Sequence, residues 1–248
     1  MVLLKSRWEV VRMRQAGRIV AKALEAIEAA IKEGVTTAEL DELAFKVITQ
    51  EGGIPSFKGY HGFPASICAS INEQIVHGIP DQRRLVEGDI ISIDVGAIHK
   101  GYQGDAARTF AVGQVSKEAL ALLAATEGAL KAGIAKAVPS NRMGDLSAAV
   151  QEHAESRGFA VVREYMGHGI GREMHEPPQV PNFGVAGQGL VLKAGMTFAI
   201  EPMLNVGTWR TRVLADQWTV VTADGKLSAH FEDTIAVTEG LPEILTAL

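Results

Sequence analysis

Four carboxylates stand in this chain where carboxylates are unwelcome. Asp94 lies in Ile91-Ser92-Ile93-Asp94-Val95, where the three aliphatic residues alternate onto one face and Ser92 and Asp94 onto the other. Asp105 follows eleven residues later, Glu201 sits within AIEPM, and Glu232 within AHFEDTIAV. Aspartate is disfavoured in strands, and a buried carboxylate is costly unless something pairs with it. A turn centred on His99–Lys100 sets Asp94 and Asp105 directly opposite, and a shift by one pair makes them diagonal. Directly opposite, their Cβ atoms stand about 4.5–5.5 Å apart, and like charges at that range repel unless a cation lies between them. Taken singly, Asp94 could face solvent and Asp105 could belong to the turn. A second acidic pair in the second half weakens that explanation. Four negative charges around one point are balanced by two divalent cations, and bridging carboxylates suit metals about 3.5–4 Å apart.

Histidine chemistry concentrates in GHGIGREMHEPP, residues 167–178. His168 and His175 are two helical turns apart, which would put both rings on one helix face. Three glycines and Pro177–Pro178 argue against a helix, so an irregular or extended segment is expected. Four carboxylates with one or two imidazoles form an oxygen-rich donor set. Such a set favours manganese, iron(II) or cobalt over a thiolate-type zinc site, with zinc and nickel left open. The glycines do not make a dinucleotide fingerprint, because the third is misplaced and no clear βαβ unit surrounds them.

The elements that must position these groups repeat. Residues 8–33 carry apolar positions at helical spacing up to Gly34, and Thr36 with Glu39 forms a capping-box pattern before a helix through Ile48. Residues 90–113 alternate and turn like a β-hairpin. Further helices are expected from Ser116 to about Ala132 and from about Met143 to Gly158. Strands are expected at 196–204 and 217–238, and more weakly at 159–165. Asp224–Gly225 is a hairpin signal that would fold Gln217–Trp218 back beside Phe231–Glu232. The expectation is an α+β fold: a curved antiparallel sheet with helices outside and an internal pseudo-two-fold. One catalytic domain would span 1–248, with halves of about 1–112 and 113–248.

Composition narrows the class. The 248 residues are 47% hydrophobic and 21% charged, with net charge −5 and no run of lysine and arginine. A nucleic-acid partner is therefore not expected. No stretch approaches the roughly 18 apolar residues of a membrane span. The lone cysteine, Cys68, cannot form an internal disulfide, so a cytoplasmic protein is expected.

The segments YHGFPASICASIN (60–72), VHGIP (76–80), IDVG (93–96), GYQGDAARTF (101–110), GHGIGREMHEPP, IEPM (200–203) and FEDT (231–234) carry a similarity that extends over nearly the whole chain. In these segments it resembles the type I methionine aminopeptidases, with their pita-bread fold. The resemblance implies a dinuclear site of Asp94, Asp105, His168, Glu201 and Glu232, with Asp105 and Glu232 bridging. It implies removal of the initiator methionine from nascent polypeptides by water activated between two cations. Glu201 would serve as general acid/base as well as ligand. His175 would donate to the tetrahedral intermediate rather than bind metal, and His77 would assist departure of the amine. The methionine pocket would involve Tyr60, Phe63, Cys68, His77, Met174, His175 and Trp218. Phe63 and Met174 depart from the family pattern, which more often has tyrosine at the first position and an aromatic residue at the second. A monovalent cation would sit near Asn72, Gln74 and Ser228. The chain would act as a monomer, on substrates at the ribosome or released from it.

Two alternatives accompany this reading. One is another metallopeptidase of the same fold, such as an Xaa-Pro enzyme; the YHGFPASIC segment and the absence of a large N-terminal domain count against it. The other is a binding protein that has lost catalysis; retention of all five ligand positions counts against that. Only 33 residues separate His168 from Glu201, too few for the helical insertion of type II enzymes.

Overall fold

Two capped helices open the fold of the computed structural model, which describes residues 2–248. Helix α1 (Arg7–Ala30) starts where the Ser6 hydroxyl accepts from the Glu9 N–H and the Glu9 carboxylate accepts from the Ser6 N–H. Helix α2 (Thr37–Gln50) starts at the expected capping box of Thr36 and Glu39. α1 stops short of Gly34 because the backbone there turns to bond sideways. The Gly34 N–H donates to the Leu85 carbonyl at 2.8 Å, and Leu85 N–H to the Val35 carbonyl at 2.9 Å.

Strands β1 (Ile54–Pro55), β2 (Ile67–Ile71) and β3 (Gln74–Val76) precede the long hairpin of β4 (Ile90–His99) and β5 (Tyr102–Ala111). Helices α3 (Lys117–Ala135) and α4 (Met143–Glu155) follow, then β6 (Ala160–Val161), β7 (Gly167–Gly169), β8 (Glu176–Val180), β9 (Thr197–Ile200) and β10 (Met203–Asn205). The chain closes with β11 (Thr211–Val213), β12 (Val220–Thr222), β13 (Ser228–His230), β14 (Glu232–Ala236) and β15 (Glu243–Ile244). The main sheet runs β1-β4-β5-β14-β9-β7-β8, with β2 also on β4 and β15 on β14. Two three-stranded sheets, β13-β10-β6 and β11-β12-β3, complete the framework. No helix among the described residues is long and apolar enough to cross a membrane.

Each helix pair covers one part of the sheet. Ile19, Val20, Ala23 and Ile27 of α1 and Leu40, Ala44 and Ile48 of α2 pack with Ile91, Ile93, Val95 and Ala106. Leu122, Ala129, Leu146 and Val150 of α3 and α4 pack with Phe198, Ile200 and Ile235. Strand alternation then turns Asp94, Asp105 and Glu232 to the face opposite the helices. The close approach of α1 requires glycine: a Cβ on Gly104 would lie 2.7 Å from the Gly17 nitrogen.

The hairpin expected at Asp224–Gly225 does not form. Gly225 takes a turn conformation at φ 75°, but β12 is paired on both edges, to β11 and β3, while β13 pairs with β10. Trp218 is therefore not set beside Glu232 by a shared hairpin.

Candidate metal and substrate site

The β4–β5 register decides the first acidic pair. Asp94 faces Ala107 and Gly96 faces Asp105, so the two aspartates are diagonal neighbours on one face. β5 is joined to β14 at this point, since the Asp105 N–H donates to the Thr234 hydroxyl and that hydroxyl donates to the Asp105 carbonyl, at 3.0 and 2.8 Å. β14 in turn pairs Asp233 with Ile200 of β9, which brings Glu232 beside Glu201 at the end of that strand. The Asn182 amide holds the Glu201 carbonyl at 3.0 Å. The second pair thus arises from the β9–β14 ladder.

The glycine- and proline-rich segment is extended, as expected, and pairs with itself as the antiparallel strands β7 and β8. His168 lies on β7, paired to Ala199 of β9, and His175 immediately precedes β8. Their ring centroids are 4.2 Å apart, yet their hydrogen bonds divide them. The His168 Nδ1–H donates to the Gly169 carbonyl at 2.9 Å, leaving Nε2 as a lone pair 3.7 Å from Glu201 Oε1 and 3.9 Å from Asp105 Oδ2. A ring nitrogen fixed in this way is the tautomer a metal takes. His175 Nδ1 meets the Tyr60 hydroxyl at 2.7 Å, with the two rings stacked.

Electrostatics set the cluster apart from the other acids of the chain. Burial pushes Asp94 up to about 7 from the usual 3.8. Burial, then neighbouring carboxylate charge, raises Asp105, Glu201 and Glu232 well above the carboxylate range. Burial and the nearby His175 lower His168 to about 4 and His77 to about 4. Asp94 Oδ1, Asp105 Oδ1 and Glu232 Oε1 are buried with no hydrogen-bond partner. Asp105, His168 and Glu232 offer donor atoms within 4.8 Å of one another. Carboxylate oxygens without hydrogen-bond partners, converging with the unprotonated Nε2 of His168, fit divalent cations.

The cluster forms the floor of a cavity of about 210 Å³, lined by Asp94, Asp105, His168, Glu201 and Glu232 together with an apolar and aromatic wall. Tyr60, Phe63, Cys68, His77, His175 and Trp218 all contribute to that lining. Phe63 meets Trp218 edge-on at 5.1 Å, and Cys68 pairs with Asp94 across β2 and β4. Burial and the carboxylates push the Cys68 thiol well up, so it stays protonated. Met174 departs from expectation: it is buried behind the wall among Phe57, Phe63 and Cys68 and does not line the cavity. Its methyl occupies space a Cβ at Gly96 would fill, so it shapes the wall from behind. Asn72 and Ser228 come together, with the Ser228 N–H on the Asn72 carbonyl. The side-chain oxygens of Asn72, Gln74 and Ser228 are, however, engaged with Ile90, Ile71 and Leu204. Each of these oxygens keeps a free lone pair, and the Ser228 Oγ, which donates, keeps two.

Sequence reasoning missed Phe57, His61 and His230. His61 directly follows Tyr60 in the YHGFP motif and lines the cavity. His230 is 1% exposed, and period-two alternation from Glu232 could have found it.

Residues 11–239 match the metallopeptidase family M24. The chain belongs to that family. A methionine aminopeptidase of Clostridium acetobutylicum is 55% identical over 99% of both chains. The crystal structure of methionine aminopeptidase from Thermotoga maritima superposes with a TM-score of 0.99 at 44% identity, covering 100% of each chain. A prolidase from Pyrococcus furiosus shares the M24 fold at TM-score 0.79 and 24% identity, over 99% of this chain and 65% of its own. The pita-bread fold of M24 proteins is thus present here, built from antiparallel sheets and, among the described residues, four α-helices.

Proposed function

We propose that this chain is a methionine aminopeptidase, hydrolysing the bond after an N-terminal methionine when the second residue is small. One observation carries the reading: a single cavity joins an aromatic and sulfur-lined wall to a floor of four carboxylates and one histidine nitrogen. The wall suits a long, polarizable thioether, and full-length identity to methionine aminopeptidases supports the same conclusion.

Asp94, Asp105, His168, Glu201 and Glu232 would hold two divalent cations. Such a pair supplies water acidified for attack and a Lewis acid for the scissile carbonyl. Glu201 moves protons at its carboxylate oxygens. The Tyr60 hydroxyl, kept protonated by burial, donates to His175 Nδ1 and leaves the imidazole proton on Nε2. His175 Nε2–H then donates to the oxygen on which negative charge develops. His77, neutral because burial lowers it, contacts the scissile amide and assists departure of the amine. The substrates are new polypeptides in the cytoplasm, at the ribosome or after release, and the chain works as a monomer.

The test is turnover by metal-depleted protein reconstituted with manganese, cobalt or iron(II). Free methionine is expected from Met-Ala and Met-Gly peptides, with none from peptides bearing a bulky second residue. Cleavage of Xaa-Pro peptides without action on Met-Ala overturns the assignment in favour of a prolidase-like activity.

A further inference from the structure

The buried Nε2 of His230 has no hydrogen-bond partner, and its position gives the reason. It ends β13 opposite Met203 of β10, two residues before Glu232. Its backbone is held on both sides by one hydroxyl: the His230 N–H donates to Thr109 Oγ1 at 2.9 Å, and Thr109 Oγ1 donates to the His230 carbonyl at 2.8 Å. The ring places Nε2 3.8 Å from Glu201 Oε2 and 3.8 Å from Glu232 Oε2. That nitrogen is buried and makes no hydrogen bond. Leaving a buried polar group unsatisfied is destabilising, and a leucine or phenylalanine would fill the volume without that cost.

We infer that His230 is a positioning residue for the metal site, its Nε2–H donating to the outer oxygens of Glu201 and Glu232 once both are ionised. The inference rests on the reading of those two glutamates as metal ligands. The nitrogen lies on the side of Glu201 away from His168, which approaches the other oxygen, Oε1. Glu201 thus lies between two imidazoles, with the His168 Nε2 lone pair 3.7 Å from Oε1 and the His230 Nε2 3.8 Å from Oε2. A donor at that place orients both carboxylates and favours their charged form, which is how groups outside the ligand set raise metal affinity.

Calorimetric titration of metal-depleted wild type, His230→Leu and His230→Gln with zinc tests this. His230→Leu is expected to bind zinc about 10–100-fold more weakly, while His230→Gln, which keeps an N–H donor, stays much closer to wild type. In parallel, ¹⁵N-histidine-labelled wild type is compared with and without zinc, using His230→Gln to assign the ring. Zinc is expected to shift the His230 Nε2–H proton downfield while its nitrogen stays protonated. A His230 nitrogen bonded directly to zinc overturns the donor role even if the leucine variant fails to fold. Unchanged affinity in a folded His230→Leu, or equal loss in both variants, also overturns it while leaving the site intact. Wild type that takes up no zinc overturns the metal site itself, and the role of His230 with it.

Discussion

Replacing Asp94 by asparagine should stabilise the metal-free protein and weaken the metal-loaded one, two opposite effects from one substitution. In the fold, the Asp94 carboxyl titrates at about 7 rather than 3.8, because burial penalises its charge. A folded value above the unfolded one means that the fold retains the proton while the unfolded chain has lost it. Stability from this group therefore falls as pH rises from about 4 to about 7 and is constant above. The full difference corresponds to about 4 kcal/mol near pH 7.5, against about 1 kcal/mol at pH 4.5. These are upper bounds, since Asp94 opens onto the cavity and meets some solvent there. Wild-type melting alone does not isolate the effect. His77, His168 and His230 are held neutral at about 4, 4 and 3, and they contribute the opposite slope below pH 6.5. Asparagine cannot ionise, so the difference between variant and wild type removes the histidine contribution and leaves that of Asp94 together with its charge coupling to Asp105, Glu201 and Glu232. That difference should grow by up to about 3 kcal/mol between pH 4.5 and 7.5, or at most about 6–12 °C in melting temperature. Scanning calorimetry of both metal-depleted proteins at the two pH values measures it. Adding manganese should reverse the order, raising the wild type more than the variant. A variant advantage that does not change with pH, or a metal-free variant less stable than wild type at pH 7.5, refutes the reasoning.

Asp105→Ala should abolish turnover and lower bound metal, read by metal content alongside peptide hydrolysis; normal turnover would rule out Asp105 as a ligand. His175→Ala should lower kcat by about 10²–10³-fold, the scale of losing one transition-state donor, with metal content intact; loss of metal would make His175 a ligand. Tyr60→Phe keeps the stacked ring but removes the hydroxyl on His175 Nδ1. It should lower kcat more than it raises KM on Met-Ala-Ser; a change confined to KM would place the hydroxyl in the pocket wall alone. Gly104→Ala should cost about 1–3 kcal/mol, because its Cβ meets the α1 backbone at Gly17. An unchanged denaturation midpoint would show that α1 yields at that crossing.

Local patterns carried much of the fold. Apolar spacing and the Thr36–Glu39 capping box were enough to locate α2, because helix starts are built from residues close in sequence. Alternation in 90–111 located the β4–β5 hairpin for the same reason. The acids declared themselves through misplaced charge: Asp94, Asp105, Glu201 and Glu232 each interrupt apolar strand sequence, which needs a cation or a partner to be tolerated. That is a statement about solvation, and it holds whatever the topology.

Register and long-range pairing were beyond such patterns. The sequence allowed Asp94 and Asp105 to be opposite or diagonal, and a ladder of ten paired positions chose diagonal. The Asp224–Gly225 signal was local and failed, because both edges of β12 were already taken by β11 and β3. Met174 lies in the right segment but behind the wall, and His230 lies under two glutamates that it precedes or follows by many positions in one case and two in the other. Which residues carry charge and cannot be left alone was written in the chain. Which oxygen each of them faces was decided by packing, since hydrogen-bond direction at a buried atom depends on neighbours from distant strands.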